Sequence, residues 1–169
     1  MDYIGEYREP FRWASDDLYH PDMKDYVEGN YSADNQLSDK DQNESRLWKY
    51  YEGIRKASTF IQNVDRCPEL TMDEIADMKG QARFLRAYCY WALIRVYGPV
   101  PLIPLEGLDV NLSYEELSLP REHFDNLVDF IDQELAESAR SLPTKRTVNN
   151  LGRPTRGAAL GLRSRVLLL

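Results

Sequence analysis

KGQARFLRAYCYWALIRVYGPVPLI, residues 79–103, decides the fold. Arg83, Phe84, Leu85, Arg86, Ala87 and Tyr88 fall on successive faces of one helix, so its basic and apolar sides are both in use. Gly98 releases that helix, and Pro99 and Pro101 forbid its continuation by removing backbone donors and fixing φ. The chain then leaves as an extended apolar run, Val100 to Leu105. Leu85, Tyr88 and Ala92 share a stripe with Ile75, Met78 and Ala82, which predicts that this face is buried against the preceding helix.

Outward from this stretch, four helices are readable. The first spans about Glu44 to Asp65, with Leu47, Tyr51, Ile54, Ala57, Ile61 and Val64 three or four apart, and Cys67-Pro68 ends it. The second opens at Thr71, whose spacing to Glu74 is a capping box, and runs to Gly98. The third begins near Pro120 and sets Phe124, Leu127, Ile131, Leu135 and Ala139 on one face. The fourth follows Thr155 with Ala159, Leu162, Val166 and Leu169. Helices one and two form one antiparallel hairpin and helices three and four another, joined by a long loop from Pro99 to Leu119. The last helix stops in mid-pattern on Leu167, Leu168 and Leu169, from which we expect the chain to be the front part of a longer protein.

Three stretches together resemble the SusD/RagB family of outer-membrane nutrient-binding lipoproteins. Lys79, Gly80, Ala82, Phe84, Leu85, Arg86, Ala87, Tyr88 and Tyr90, followed by Tyr97, Gly98, Val100, Pro101 and Leu102, match its K-G-x-A-x-F-L-R-A-Y-x-Y…Y-G-x-V-P-L hallmark. Trp48 to Ile61 is similar to its W-x-x-x-Y-x-x-I-x-x-A-N-x-F-I helix, with Ser58 where many relatives carry Asn. Leu142-Pro143 and Gly152 to Ala159 follow its L-P…G-R-x-T-x-G-A-A pattern. The resemblance implies an all-α fold of helical hairpins with tetratricopeptide-like packing over residues 44–169, preceded by an irregular acidic segment, residues 1–43. It also implies capture of an oligosaccharide at the surface of a Bacteroidetes-type outer membrane. The partner would be a TonB-dependent transporter barrel, and the membrane would be reached only through a lipid anchor upstream of residue 1. Within the same class a peptide ligand is an alternative, and a helical-hairpin adaptor for protein partners is a second.

Charge is unevenly distributed. Residues 1–43 carry 11 acidic and 4 basic side chains, whereas residues 44–169 carry 17 of each. An acidic segment repels phosphate backbones, so no nucleic-acid partner is expected. Beyond Glu137 the chain is basic, with Arg140, Lys145, Arg146, Arg153, Arg156, Arg163 and Arg165 and no acid. Stacking aromatics are missing beside these cations, so pairing with acids elsewhere is the expected role. With 43% apolar residues and a mean hydropathy of −0.57, no run is long and apolar enough to span a bilayer.

No catalytic constellation assembles. His20 and His123 lie in different segments and belong to no HExxH or ExxH pattern, so neither a metal site nor a cofactor is expected. Asp73, Glu74 and Asp77 occupy the first turn of helix two, where carboxylates meet the helix dipole favourably. Cys67 and Cys89 form no CxxC; Cys89 is expected as a small buried filler. Recognition chemistry concentrates in the N-terminal segment, where Tyr3, Tyr7, Trp13, Tyr19, Tyr26 and Tyr31 interleave with Asp16, Asp17, Asn30 and Asn35. Sugar rings present apolar faces and a hydroxyl rim, so aromatic platforms beside amides and carboxylates suit them. The candidate ligand residues are therefore Trp13, Asp16, Tyr19, Asn30 and Tyr31, with anchoring of the segment onto the helices as the simpler alternative. Trp48 and Trp91 are assigned to packing.

Overall fold

The computed structural model describes residues 46–108, 111 and 113–169. Among these it is all-α: α1 (Arg46–Asn63), α2 (Met72–Tyr97), a single turn α3 (Tyr114–Leu117), α4 (Phe124–Ser141) and α5 (Arg156–Val166). Short 3₁₀ turns follow α1 (Val64–Arg66) and precede α5 (Val148–Asn150).

The helix ends follow from local chemistry. At the start of α2 the Glu74 N–H donates to Thr71 Oγ1 at 3.3 Å, and the Thr71 N–H returns a bond to Glu74 Oε2 at 2.9 Å. That backbone donor holds the Glu74 carboxyl below its usual range. Gly98 ends α2 at φ 64°, a conformation that disfavours a side chain, while its N–H still reaches the Ile94 carbonyl. Helix four of the sequence reading begins at Arg156 as expected, capped by Thr155. Helix three starts later than Pro120, at Phe124, because His123 is still extended at φ −62° and ψ 142°.

Packing makes two antiparallel hairpins side by side. Gly53 of α1 lies against Cys89 of α2, where an added Cβ would stand 3.0 Å from the sulfur. The Tyr51 and Tyr90 rings meet edge-on at 6.5 Å, and Lys79 closes the hairpin's other end on Asp65 at 2.6 Å. Gly80 brings α2 equally close to α4, with Ser141 Cβ 3.0 Å from the position a Cβ would take. Ser138 donates to the Gly80 carbonyl across that contact at 2.8 Å. The second hairpin is tied by Arg163 and Asp132 at 2.5 and 3.0 Å. These are the helical hairpins expected from the sequence, with the tetratricopeptide-like packing that the family resemblance implies.

Because α1 and α4 flank α2 on two sides, its buried surface is wider than one stripe. Ala87, Cys89, Tyr90, Leu93 and Ile94 are buried, together with Ala82 and Ala92, while Tyr88 is half-buried. Leu85, expected in the core, is 38% exposed. A single i, i+3, i+7 stripe supposes one partner; with two, the covered sectors lie elsewhere and Leu85 falls outside them. Trp48, also assigned to packing, is 69% exposed on the first turn of α1, ahead of the contact made by Tyr51 and Ile54. Trp91 and Cys89 are buried as expected, and both cysteines are free thiols.

Leu93→Ala is therefore expected to lower the unfolding free energy by about 2–5 kcal/mol in urea titration, the range for a fully packed site. Leu85→Ala should cost less than about 1 kcal/mol, the scale of surface substitutions. Equal losses would contradict this division of α2.

Candidate functional site

The run after α2, GPVPLIPL (residues 98–105), carries prolines at 99, 101 and 104, which leaves it few N–H groups for pairing with a strand. Its polar backbone is answered by side chains instead. Tyr51 of α1 donates its hydroxyl to the Pro101 carbonyl at 2.9 Å. Arg86 of α2 donates through Nη2 to the Ile103 carbonyl at 3.0 Å, while the Ile103 N–H donates to the Tyr90 hydroxyl at 2.9 Å. Gln62, near the end of α1, reaches the Leu105 carbonyl. Val100 is buried, and its carbonyl accepts from the Glu122 N–H at 3.1 Å. The segment is thus a strap held along both helices of the first hairpin.

Arg86 is the centre of this arrangement. It is only 3% exposed, its guanidinium lies 4.9 Å from the centre of the Phe130 ring, and Nη1 is 3.7 Å from Glu134 Oε2. That separation is an ion pair rather than a hydrogen bond; the other Glu134 oxygen accepts from Arg83. Burial pushes the Glu134 carboxyl above its usual value, and the two guanidinium charges pull it back only in part. Burial also raises the Tyr90 phenol to about 12 and moves Tyr51 upward. Neither phenol is a base near neutrality. Glu134 lies between two cations, and the cluster orders the backbone of the strap.

Among the described residues no group of three His, Cys, Asp or Glu side chains is placed to hold a metal ion. No helix there is long and apolar enough to cross a membrane. His123 is exposed at the start of α4. The expected ligand residues Trp13, Asp16, Tyr19, Asn30 and Tyr31 lie outside the described residues. Arg146 and Arg163 of the basic stretch do pair with acids, Asp77 and Asp132. What the sequence reading missed is Glu134, and the signal was present. A carboxyl stands on the stripe formed by Leu127, Ile131, Leu135 and Ser138, a place that calls for a buried cation beside it or a bound proton.

Arg86→Met removes one charge of a buried pair and should cost about 3–5 kcal/mol in denaturant titration, with faster hydrogen exchange at the Ile103 amide. For Glu134 the raised folded value means the native state holds the proton more tightly than the unfolded chain. Its contribution is therefore most favourable below the ordinary value of 4.5 and declines as pH rises through the folded value. The stability of the wild type relative to Glu134→Gln should fall over that window, and a rise would show that the arginines outweigh burial.

A family model, SusD-like, described as starch-binding and associating with the outer membrane, matches residues 13–168. A SusD-like protein of Formosa agariphila is 27% identical over 100 residues, covering 50% of this chain and 19% of the relative. The crystal structure of a SusD-like protein from Bacteroides fragilis superposes with a TM-score of 0.64 at 31% identity, over 72% of this chain and 23% of that one. Surface glycan-binding protein A from Bacteroides uniformis gives 0.63 at 26% identity, over 72% and 27%. The chain thus spans about a fifth to a quarter of the length of these relatives. With the family pattern matched over nearly its whole length and its helical hairpins superposing on solved members, the chain belongs to the SusD-like family.

Proposed function

We propose that this chain is part of a surface lipoprotein that captures an oligosaccharide and passes it to a TonB-dependent transporter barrel in the outer membrane. The observation that carries this reading is the family match over residues 13–168. The solved relative named as a surface glycan-binding protein, whose fold the described helices share, adds to it. The mechanism is capture without chemistry: aromatic rings stack on the apolar faces of sugar rings, and amides and carboxylates bond the hydroxyl rim. Trp13 is the proposed platform, with Asp16, Tyr19, Asn30 and Tyr31 around it. Trp48, open on the first turn of α1, is a second aromatic available for stacking. The strap and hairpins serve as the rigid support, because a recognition surface gains affinity when its scaffold is ordered beforehand.

Calorimetry on the full-length protein, with maltoheptaose heading a series of oligosaccharides, tests this. A stacked ring contributes about 1–3 kcal/mol by analogy with stacking on bases, so Trp13→Ala should weaken affinity about tenfold or more with the circular dichroism unchanged. Unchanged affinity would remove Trp13 from the site, and a loss of helicity would make it an anchor. No heat with any oligosaccharide in the series would overturn the ligand class itself.

A further inference from the structure

Two buried polar atoms near the middle of the strap, Arg86 Nε and Ser58 Oγ, have no hydrogen-bond partner among the described residues. Ser58 is 5% exposed, and none of the side-chain bonds to the strap uses it. Its place on α1 is informative. Tyr51, Ser58 and Gln62 are spaced i, i+7 and i+11, which puts them on one face of the helix. Tyr51 holds the Pro101 carbonyl and Gln62 the Leu105 carbonyl, so Ser58 lies between them, level with Ile103. Ile103 is the residue whose carbonyl Arg86 holds.

The pairing of the helices gives the same placement. Gly53 lies against Cys89 and Asp65 meets Lys79, so counting antiparallel between them sets Ser58 opposite the Phe84–Arg86 stretch of α2. Helical side chains lean toward the N-terminus of their own helix, which carries the Arg86 guanidinium further toward that level. The shape of the fork adds a third constraint. Nε and Nη2 share one edge of a guanidinium, and in Arg146 both reach a single carbonyl, that of Pro154. In Arg86 the Nη2 of that edge is on the Ile103 carbonyl, while Nη1 faces Glu134 of α4. An acceptor for Nε must therefore come in beside the strap carbonyl, and Ser58 is the buried polar residue of α1 at that level.

We propose that residue 58 sets how firmly Arg86 holds the strap. The serine hydroxyl stops short of the Nε proton and leaves one donor of the buried guanidinium unanswered. Bonded near its ends by Tyr51 and Gln62, the strap is held at its middle by less than the fork can offer. An asparagine at this position would carry an amide oxygen one bond farther from the helix and set it on Nε, while Nη2 keeps the Ile103 carbonyl. Hydrogen bonds from a charged donor are the stronger kind, so a change at one buried position of α1 is passed through Arg86 to the backbone of the strap. Ser58 is thus a positioning residue that acts through Arg86, and its role is independent of what the whole protein binds.

Amide exchange of the whole chain, followed by nuclear magnetic resonance, tests this at the Ile103 N–H, which donates to the Tyr90 hydroxyl. Ser58→Asn should slow that exchange about tenfold, the decade expected of one added bond from a charged donor, and should move the Arg86 Nε–H resonance downfield. Ser58→Leu fills a similar volume without an acceptor and should not slow it. Ser58→Ala should leave it close to wild type, since the hydroxyl it removes has no partner. With Arg86→Lys, which keeps the charge but lacks the second donor on that edge, Ser58→Asn should lose its effect. Equal exchange in the Ser58→Asn and Ser58→Leu chains would overturn the proposal, as would slowing that persists without Arg86. Loss of helicity by circular dichroism in Ser58→Asn, with Ser58→Ala intact, would show that the space beneath the strap does not admit the amide, and would overturn it as well.

Discussion

A guanidinium taken out of water must be met by charge and hydrogen bonds, and Arg86 is met from three directions at once. The Ile103 carbonyl lies on the strap, Glu134 and Phe130 lie on α4, and Arg86 itself belongs to α2. The three elements are therefore registered through one buried side chain. A lysine would not substitute, since a compact ammonium cannot bond a carbonyl, face a ring and approach a carboxylate in one planar arrangement. Its Nε has no hydrogen-bond partner among the described residues, nor has Glu134 Oε2. The site is held by geometry and charge together and stops short of full hydrogen-bond saturation. That fits a group retained for placing the backbone, because a buried ion pair is often no more stabilising than apolar packing.

Close approach of the helices makes this registration possible. Gly53 and Gly80 occur where α1 and α4 approach α2 closely, and in each case an added methyl would meet a neighbour at 3.0 Å. The first contact lets Tyr51 and Tyr90 meet edge to face and lets both hydroxyls reach the strap. The second lets Ser138 bond a helix carbonyl directly. Small residues on the helices thus decide where the extended segment can lie, although they do not touch it.

Much of this was legible in the sequence, and the parts that were not share a physical reason. Helix starts set by local side-chain bonds, such as Thr71 with Glu74, were readable because both partners lie within one turn. The end of α2 was readable for the same reason, from Gly98 and the prolines. Periodicity located α4 and α5 but misplaced Leu85, because it reports the faces of a helix without saying how many partners cover them. Trp48 misled in a related way: an aromatic within a helical pattern was assigned to packing, while the core contacts of α1 are made by Tyr50, Tyr51 and Ile54 and Trp48 is exposed. The Arg86–Glu134 pair joins positions far apart in sequence, and only the unusual place of Glu134 on an apolar stripe hinted at it. The candidate sugar-binding residues were chosen by composition and lie in residues 1–43, outside the described part.

The proline spacing of the strap has one more consequence. A six-residue apolar run in extended conformation is the kind of segment that recruits other chains edge to edge, through rows of unpaired N–H and C=O groups. Here Pro101 and Pro104 lie within that run and Pro99 just before it, so neither edge can offer an unbroken ladder. While the chain is folding, before Tyr51, Arg86 and Tyr90 have taken hold of the segment, these prolines guard it against intermolecular β-pairing. The residues that end the long helix thus also keep its exposed continuation from becoming the nucleus of an aggregate.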